Sequence, residues 1–275
     1  MSGAKAGFAI VTPASKGLGF AFARQLLAHT DLPVVATARK DCDEVKGKLL
    51  DRLDRPGSGD LGKRLHVLQV DVTNESTIES LASTIRDTYP DTPLRLAITV
   101  PGILNVEKSP SQIDAAAALE SFRVNSLGPM LLMKHLSGLL PTKSAAPFLE
   151  STTHEANFKL PTHAIYAMMA ARVGSISDNG FGGWYSYRAS KAAVFQLAKT
   201  FDLFLRTRSK ERALAVAMHP GTVQTDFTKD YQDGREMITP DDSAARLLDV
   251  ICGIKPETNE GRGKCWDWKG EEVQP

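Results

Sequence analysis

Cysteine is scarce in this sequence, and patterns that bind metal ions are missing. The 275 residues include three cysteines, Cys42, Cys252 and Cys265, with no Cys-x-x-Cys pair. An odd number of widely spaced cysteines is typical of free thiols in a reducing compartment rather than of a disulfide framework. The six histidines are scattered without a His-x-x-x-His pair, so the sequence predicts no metal site.

An excess of charge of one sign and a long apolar run are missing as well. The formal net charge is +1, and lysine and arginine are spread along the chain, so no basic patch indicates nucleic acid as a partner. No apolar run reaches transmembrane length. The first predicted strand begins by about Phe8, which leaves no room for a signal or transit peptide. We therefore expect a cytoplasmic protein that binds neither nucleic acid nor membranes.

Apolar runs and amphipathic segments alternate along the chain. The predicted strands are 8–11, 33–38, 65–70, 94–99, 163–170 and 212–218, and the predicted helices are 20–27 and about 41–54, 74–89, 111–139, 184–207 and 240–253. This order is typical of an α/β fold, a Rossmann-type doubly wound parallel sheet with helices on both faces. Without an internal repeat, the length predicts a single domain over 1–275. The polar stretches 56–62 and 141–161 are predicted surface loops.

A glycine-containing turn joins the first predicted strand to the first predicted helix. It reads Thr12-Pro13-Ala14-Ser15-Lys16-Gly17-Leu18-Gly19. Strand, glycine turn and helix are the context of a dinucleotide site. Glycine lets the backbone approach a pyrophosphate, and the start of the helix supplies free N–H groups. The sequence therefore predicts a nucleotide at this turn.

A tyrosine and a lysine lie four residues apart in a later predicted helix. Tyr187 and Lys191 share one face of that helix. A nearby ammonium lowers the pKa of tyrosine from its ordinary value of about 10, which allows general acid/base catalysis near neutral pH. Such a pair arises by chance on many amphipathic helices, so it gains its meaning from the glycine turn earlier in the chain.

Together these motifs resemble the short-chain dehydrogenase/reductase family, whose turn reads Thr-Gly-x-x-x-Gly-x-Gly and whose catalytic pair is Tyr-x-x-x-Lys. Further matches follow in the family's order: Asp71-Val72 after the third strand, Gly102 after the fourth, Asn125 in a helix, and Pro220-Gly221-Thr222-Val223-Gln224-Thr225 after the sixth strand. The resemblance covers nearly the whole chain. The stretch 172–187 is similar, more narrowly, to the C-factor and sniffer-type carbonyl reductase branch.

The resemblance implies an NADP(H)-dependent oxidoreductase of the carbonyl reductase type, which transfers hydride between nicotinamide and a small carbonyl or alcohol substrate. Tyr187 would be the general acid/base, and Lys191 would hold the nicotinamide ribose. Asn125 would position a water molecule beside Lys191. The implied cofactor-binding residues are Thr12, Ser15, Lys16, Gly17, Leu18, Gly19, Arg39, Asp71, Val72, Gly102, Tyr187, Lys191, Pro220, Gly221, Val223 and Thr225. Family members usually form homodimers or homotetramers, often through the helices at 111–139 and 184–207.

The chain departs from the family's pattern at three places. Pro13 replaces the first glycine of the turn and removes one backbone donor. Thr99-Val100-Pro101 replaces the family's Asn-Asn-Ala before Gly102. Ala171 stands where the branch has its catalytic serine, sixteen residues before the tyrosine. Ser175 is the nearest hydroxyl downstream, and it either takes the catalytic role or bonds its own loop.

The end of the second strand distinguishes the two nicotinamide cofactors. NAD enzymes of this fold place an acidic residue there for the ribose 2′-hydroxyl. This chain has Arg39, whose guanidinium can bind a 2′-phosphate in a bidentate manner, and Lys16 would add positive charge. The sequence therefore favours NADP(H). Asp41 follows two residues later and keeps NAD(H) as the alternative.

A second class of function stays open, a nucleotide-binding protein that has lost catalysis and acts as a redox sensor or scaffold. Pro13 and Ala171 favour it, whereas the joint presence of Asn125, Tyr187 and Lys191 opposes it. Epimerase or dehydratase chemistry on a nucleotide sugar would need a larger C-terminal region. The substrate pocket is expected from the residues after Gly174, from Trp184 and from 226–239, which is either a mobile lid or a plain surface loop.

Overall fold

The computed structural model describes residues 4–53, 60–150, 156, 158–229, 237–257 and 260–275. Its strands are β1 (Phe8–Thr12), β2 (Val34–Ala38), β3 (Leu65–Gln69), β4 (Leu94–Thr99), β5 (Ala164–Met169), β6 (Ala213–His219), β7 (Cys265–Asp267) and β8 (Glu272–Val273). They form one sheet in the order β3-β2-β1-β4-β5-β6-β7-β8. The pairs from β3 to β7 are parallel, and β8 is antiparallel to β7. The predicted doubly wound fold is therefore confirmed.

Helices cover both faces of this sheet. They are α1 (Gly17–His29), α2 (Cys42–Leu50), α3 (Leu61–Arg64), α4 (Glu75–Thr88), α5 (Ala115–Phe122), α6 (Gly128–Leu136), α7 (Tyr185–Arg208) and α8 (Pro240–Gly253). All residues of β1, β2, β4 and β5 are buried, as expected of parallel strands between two helical layers. One core layer contains apolar side chains of α1, α2 and α8, and the other contains those of α4, α6 and α7.

Three features differ from the predicted elements. The segment predicted as one helix at 111–139 is divided by a π-helical turn at Arg123–Leu127, between α5 and α6, with 3₁₀ turns at Pro110–Gln112 and Ser137–Leu139. The strands β7 and β8 were not predicted, because they are very short. In the predicted loop 141–161, Phe148, Phe158 and Leu160 are buried, while residues 151–155 and 157 lie outside the described residues, as do 54–59 of the first loop.

The longest described helix is α7, with 24 residues. Within the described ranges no helix combines the length and the apolar character needed to cross a membrane.

Candidate active site

The glycine turn has the geometry of a nucleotide cradle. Helix α1 begins at Gly17, whose φ is +59°, and in the described chain no side chain caps its N-terminus and no acidic residue lies in its first turn. A Cβ at Gly19 would lie 1.9 Å from the carbonyl oxygen of Pro13, so glycine is required there. A Cβ at Gly17 would meet Thr225 Cγ2 at 3.6 Å. The turn and the late motif therefore lie side by side, with helix N–H groups available to an anion.

Other residues of this turn have different surroundings. Thr12 is fully buried and shares a hydrogen bond of 2.7 Å with the Thr37 hydroxyl, so its side chain links β1 to β2. Ser15 is exposed and Leu18 is half-buried. Lys16 is exposed and pairs with Asp226 at 3.4 Å. The side chains that can reach a bound molecule here are therefore those of Ser15, Lys16 and Leu18.

Tyr187 and Lys191 lie together in a buried site at the carboxyl edge of the sheet. The Lys191 ammonium lies 6.0 Å from the centre of the Tyr187 ring and donates to the carbonyl oxygens of Met169 at 2.9 Å and Pro101 at 3.4 Å. A Cβ at Gly102 would lie 3.5 Å from Lys191 Nζ and 3.8 Å from Asn125 Oδ1. The structure thus brings four sequence-predicted residues to one place.

Burial controls the ionisation of this pair. It raises the pKa of Tyr187 well above its usual value and lowers the pKa of Lys191 to about 8. This direction is opposite to the expectation that Lys191 lowers the pKa of Tyr187, because desolvation of the phenolate dominates. At neutral pH, Tyr187 is a neutral phenol that has a proton to donate.

Asn125 is held by the π-helical turn between α5 and α6. Its side chain accepts from Ile103 N at 2.8 Å and donates to Ile103 O at 2.9 Å and to Ser190 Oγ at 3.0 Å. These contacts fix the backbone just after Gly102. Both the oxygen and the nitrogen of the side-chain amide thus bind protein groups. Single π-helical turns of this kind occur frequently at functional sites.

Ser175 and Ala171 lie in the loop that follows β5. Ser175 is 2 % exposed, and its hydroxyl accepts a hydrogen bond from Asp178 N at 3.0 Å. The described contact of this hydroxyl is therefore within its own loop, which is the local role that the sequence analysis left open. Ala171 is nearly buried and has no polar side-chain atom.

Arg188 and Glu107 are important neighbours that the motifs did not indicate. The Arg188 guanidinium donates to the carbonyl oxygens of Val173, Gly182 and Gly183. The buried Glu107 carboxylate accepts from Ser186 N at 2.9 Å in the first turn of α7. Both fix the loop before Tyr187. Their partners are distant in sequence or are backbone atoms, so sequence reasoning had no signal for them.

Two aromatic rings flank Tyr187. The Trp184 ring lies 6.1 Å and the Phe227 ring 5.9 Å from its centre, and a Cβ at Gly102 would lie 3.9 Å from Phe227. Trp184 was predicted to line the pocket, and Phe227 belongs to the segment 226–239 predicted as a lid or loop. Residues 230–236 of that segment lie outside the described residues.

The adenine side of the predicted cofactor site is formed by the ends of β2 and β3. Arg39 is exposed there and has no salt-bridge partner among the described residues. Hydrogen bonds from Thr73 are the main reason why the pKa of Asp71 is lowered, and the charges of Arg39 and Arg123 lower it further. Val72 packs on Gly128, where a Cβ would lie 3.1 Å from it. An exposed guanidinium at the end of β2 fits a phosphate group.

The late motif is shaped by Gly221, with φ +78°. A Cβ there would lie 2.6 Å from Trp268 Nε1. The Ser243 hydroxyl donates to the Pro220 carbonyl at 2.8 Å, and Val223 forms a bridge with Ile238. These contacts bring the segment back over α1, where Thr225 meets Gly17.

This chain aligns with most of the length of two curated relatives. The 1-hydroxy-2-glutathionyl-2-methyl-3-butene dehydrogenase of Rhodococcus sp. (strain AD45) is 28% identical over 91% of this chain and 92% of its own. The C-signal protein of Myxococcus xanthus is 30% identical over 66% of this chain and 92% of its own.

Solved structures show the same fold. The carbonyl reductase Sniffer of D. melanogaster superimposes with a TM-score of 0.79 at 21% identity, over 98% of this chain and 99% of its own. An NADPH-bound carbonyl reductase from chicken fatty liver gives a TM-score of 0.78 at 25% identity, over 98% of this chain and 100% of its own. The resemblance to the C-factor and sniffer-type branch is thereby confirmed. A family model described as short chain dehydrogenase matches residues 7–168, and the chain belongs to this family of oxidoreductases.

Proposed function

We propose that this oxidoreductase is an NADP(H)-dependent carbonyl reductase with Tyr187 as its general acid. The observation that carries the proposal is the convergence of the Tyr187 ring, the Lys191 ammonium, the Asn125 amide and Gly102 in one buried site beside the glycine turn. A scaffold protein has no use for a buried ammonium next to a buried phenol, since burying the charge costs free energy.

The residues present fit a dinucleotide phosphate. The uncapped start of α1 and the exposed Ser15 and Lys16 would hold the pyrophosphate, and Arg39 would hold the 2′-phosphate. When bound, the reduced cofactor supplies a hydride to a carbonyl carbon. The solved chicken carbonyl reductase with NADPH bound supports this choice of cofactor over NAD(H).

Tyr187 would donate its proton to the carbonyl oxygen. Its raised pKa keeps the phenol protonated at neutral pH, which favours the reductive direction because a proton must be given at that step. Lys191 would hold the nicotinamide ribose, and its charge would stabilise the phenolate that forms. Trp184 and Phe227 would border the substrate on either side of the reacting oxygen.

Replacement of Tyr187 by phenylalanine tests the proposal. We expect Tyr187→Phe to bind NADPH almost as wild type and to lower turnover by at least about a hundredfold, the usual effect of losing a general acid. NADPH absorbance is followed with a panel of aldehydes and ketones, and NADPH affinity is measured by fluorescence titration. Tyr166→Phe is the matched control, since that phenol is fully buried in β5; it should leave turnover within about twofold.

Wild-type protein that binds NADPH tightly but reduces no carbonyl compound in the panel would favour the redox-sensing or scaffold alternative. Equal turnover of Tyr187→Phe and wild type would move the proton donor elsewhere.

We further propose a cytoplasmic homodimer or homotetramer. Cys42, Cys252 and Cys265 are free thiols, which suits a reducing compartment. Exposed apolar side chains on the helices α5, α6 and α7 support self-association; they are Leu119, Phe122, Met130, Leu203 and Phe204.

A further inference from the structure

The C-terminal hairpin, which comprises β7, β8 and the turn between them, contacts both loops that border the proposed substrate site. One loop follows β5 and contains Ala171 and Arg172. The other follows β6 and contains Pro220 and Gly221. Both leave the carboxyl edge of the sheet, where open α/β sheets bind their ligands. The hairpin is therefore in a position to hold the two loops relative to each other.

Asp267 joins the hairpin to the loop after β5. Its Oδ1 accepts from Lys269 N and Glu271 N, each at 2.9 Å, and its Oδ2 accepts from Arg172 Nη2 at 2.8 Å. The carboxylate side chain is 4 % exposed. One oxygen thus orders the hairpin turn, while the other binds the residue directly after Ala171. A charge-assisted contact to a buried carboxylate is among the stronger hydrogen bonds.

Trp268 joins the same turn to the loop after β6. Its indole lies directly against Gly221, where a Cβ would come within 2.6 Å of Nε1 and 2.7 Å of Cδ1. The Arg246 guanidinium lies 4.8 Å and the Lys269 ammonium 5.0 Å from the ring centre, which holds the indole through cation–π contacts.

Beyond β8, the Pro275 carbonyl accepts from Ser177 N at 3.3 Å and from the Ser177 hydroxyl.

We propose that Asp267 and Trp268 are positioning residues, which fix the loops after β5 and β6 around the substrate of the proposed reduction. This inference rests on the proposed function for its effect on turnover. The loop after β5 has Ala171 in place of the family's serine, so substrate orientation would depend more on the other walls of the pocket. A displacement of about 1 Å at a reacting centre can lower the rate by about a hundredfold.

The test compares hairpin residues that contact these loops with hairpin residues that do not. The first set is Asp267→Asn and Trp268→Ala, and Trp268→Phe is the conservative variant that keeps a ring against Gly221. Trp266→Ala and Glu272→Gln are the controls. Trp266 donates to Gly261 O at 2.8 Å, and Glu272 pairs with Lys264 at 2.6 Å, so neither of these contacts is made to the two loops.

Hydrogen exchange at residues 171–178 and 220–225 is the readout that needs no turnover. We expect exchange in the loop after β5 to rise about tenfold in Asp267→Asn, and in the loop after β6 in Trp268→Ala, because each loop loses a fixed contact. The same variants should lower kcat about tenfold or more with a smaller change in NADPH affinity. Trp268→Phe should keep hydrogen exchange in the loop after β6 and kcat close to their wild-type values.

Equal increases in exchange in Trp266→Ala and Glu272→Gln would overturn the proposal, since the hairpin would then matter through overall stability alone. Unchanged exchange in both Asp267→Asn and Trp268→Ala would overturn it as well. If wild type reduces no carbonyl compound, the proposed function fails, while the exchange experiment still decides whether these residues hold the two loops.

Discussion

At the scale of single residues, the main question is how the site works with alanine instead of serine at position 171. The Ser175 hydroxyl accepts a hydrogen bond from Asp178 N within its own loop and is 2 % exposed, whereas Ala171 has no hydroxyl at the family position. We therefore expect Ala171→Ser to raise kcat by about tenfold, because one added donor to a developing oxyanion contributes on the order of a few kcal/mol in an optimal geometry. The measurement is turnover of one carbonyl substrate at saturating NADPH.

Ser175→Ala is the matched variant of this pair. It should change kcat by less than about threefold if the hydroxyl has a local role in its turn. A large loss of kcat in Ser175→Ala, together with no gain in Ala171→Ser, would return the catalytic role to Ser175.

Arg39 is the residue on which the proposed preference for NADP(H) depends. We expect Arg39→Asp to weaken NADPH binding more than NADH binding, because a carboxylate would replace the partner of the 2′-phosphate and repel it. The measurement is the ratio of the two dissociation constants. Lys40→Asp changes the same charge at the next exposed position and should alter this ratio less. Tighter binding of NADH than of NADPH by wild type would contradict the NADP(H) prediction.

The sequence was informative for residues that lie in local motifs. Gly17 and Gly19 could be predicted because backbone conformation and close packing demand glycine there. The roles of Tyr187, Lys191 and Asn125 stay predictions, although the structure brings them together. Glu107 and Trp268 could not be predicted because their partners are far away in the chain, and Arg188 could not be predicted because it binds backbone carbonyl oxygens.

At the scale of elements, Arg95 on β4 connects segments that the sequence left as coil. Its fully buried guanidinium donates to carbonyl oxygens of Ala6, Leu149, Leu160 and Pro161. The Phe148 ring lies 5.1 Å away. Burial lowers the pKa of Arg95 to about 10. The Arg95 side chain thereby holds Leu149, Leu160 and Pro161 of the 141–161 loop against β4.

We expect Arg95→Met to lower the free energy of unfolding by about 3 kcal/mol, because several buried carbonyl groups would lose their donor. Urea denaturation at pH 7 is the measurement. Arg24→Met is the control, since Arg24 also donates to three carbonyl oxygens but mainly at the surface; it should cost about 1 kcal/mol or less. Equal losses in the two variants would show that burial of the Arg95 network is unimportant.

Element prediction succeeded where the hydrophobic period was long and regular. The six longer strands and the helices α1, α2, α4, α7 and α8 follow from such patterns. The π-helical turn at Arg123–Leu127 escaped prediction because the helical period continues across it. The strands β7 and β8 have three and two residues, which is too short for an alternating pattern. Pairing with β6 stabilises β7, and pairing with β7 stabilises β8.

At the scale of the whole molecule, several large apolar side chains on the helices α5, α6 and α7 are exposed. Phe204 and Leu203 on α7 are about half exposed, and Leu119 on α5 and Met130 on α6 are exposed as well. Phe204 lines a depression between α6 and α7 together with Met133 and Ser137. Exposed apolar surface is typical of association sites when it forms a large patch, and a surface that meets its own copy would give a twofold-symmetric dimer.

We expect Phe204→Glu to shift the protein toward a monomer, because a dimer would bury two carboxylates in apolar surroundings without partners. Light scattering coupled to size-exclusion chromatography measures the mass over a range of concentrations. Phe181→Glu is the control: Phe181 is 99 % exposed but lies in the loop before α7 rather than on one of these helices, and its replacement should leave the mass unchanged. A wild-type protein that is monomeric at all concentrations, or a dimer unaffected by Phe204→Glu, would show that this face is not the interface.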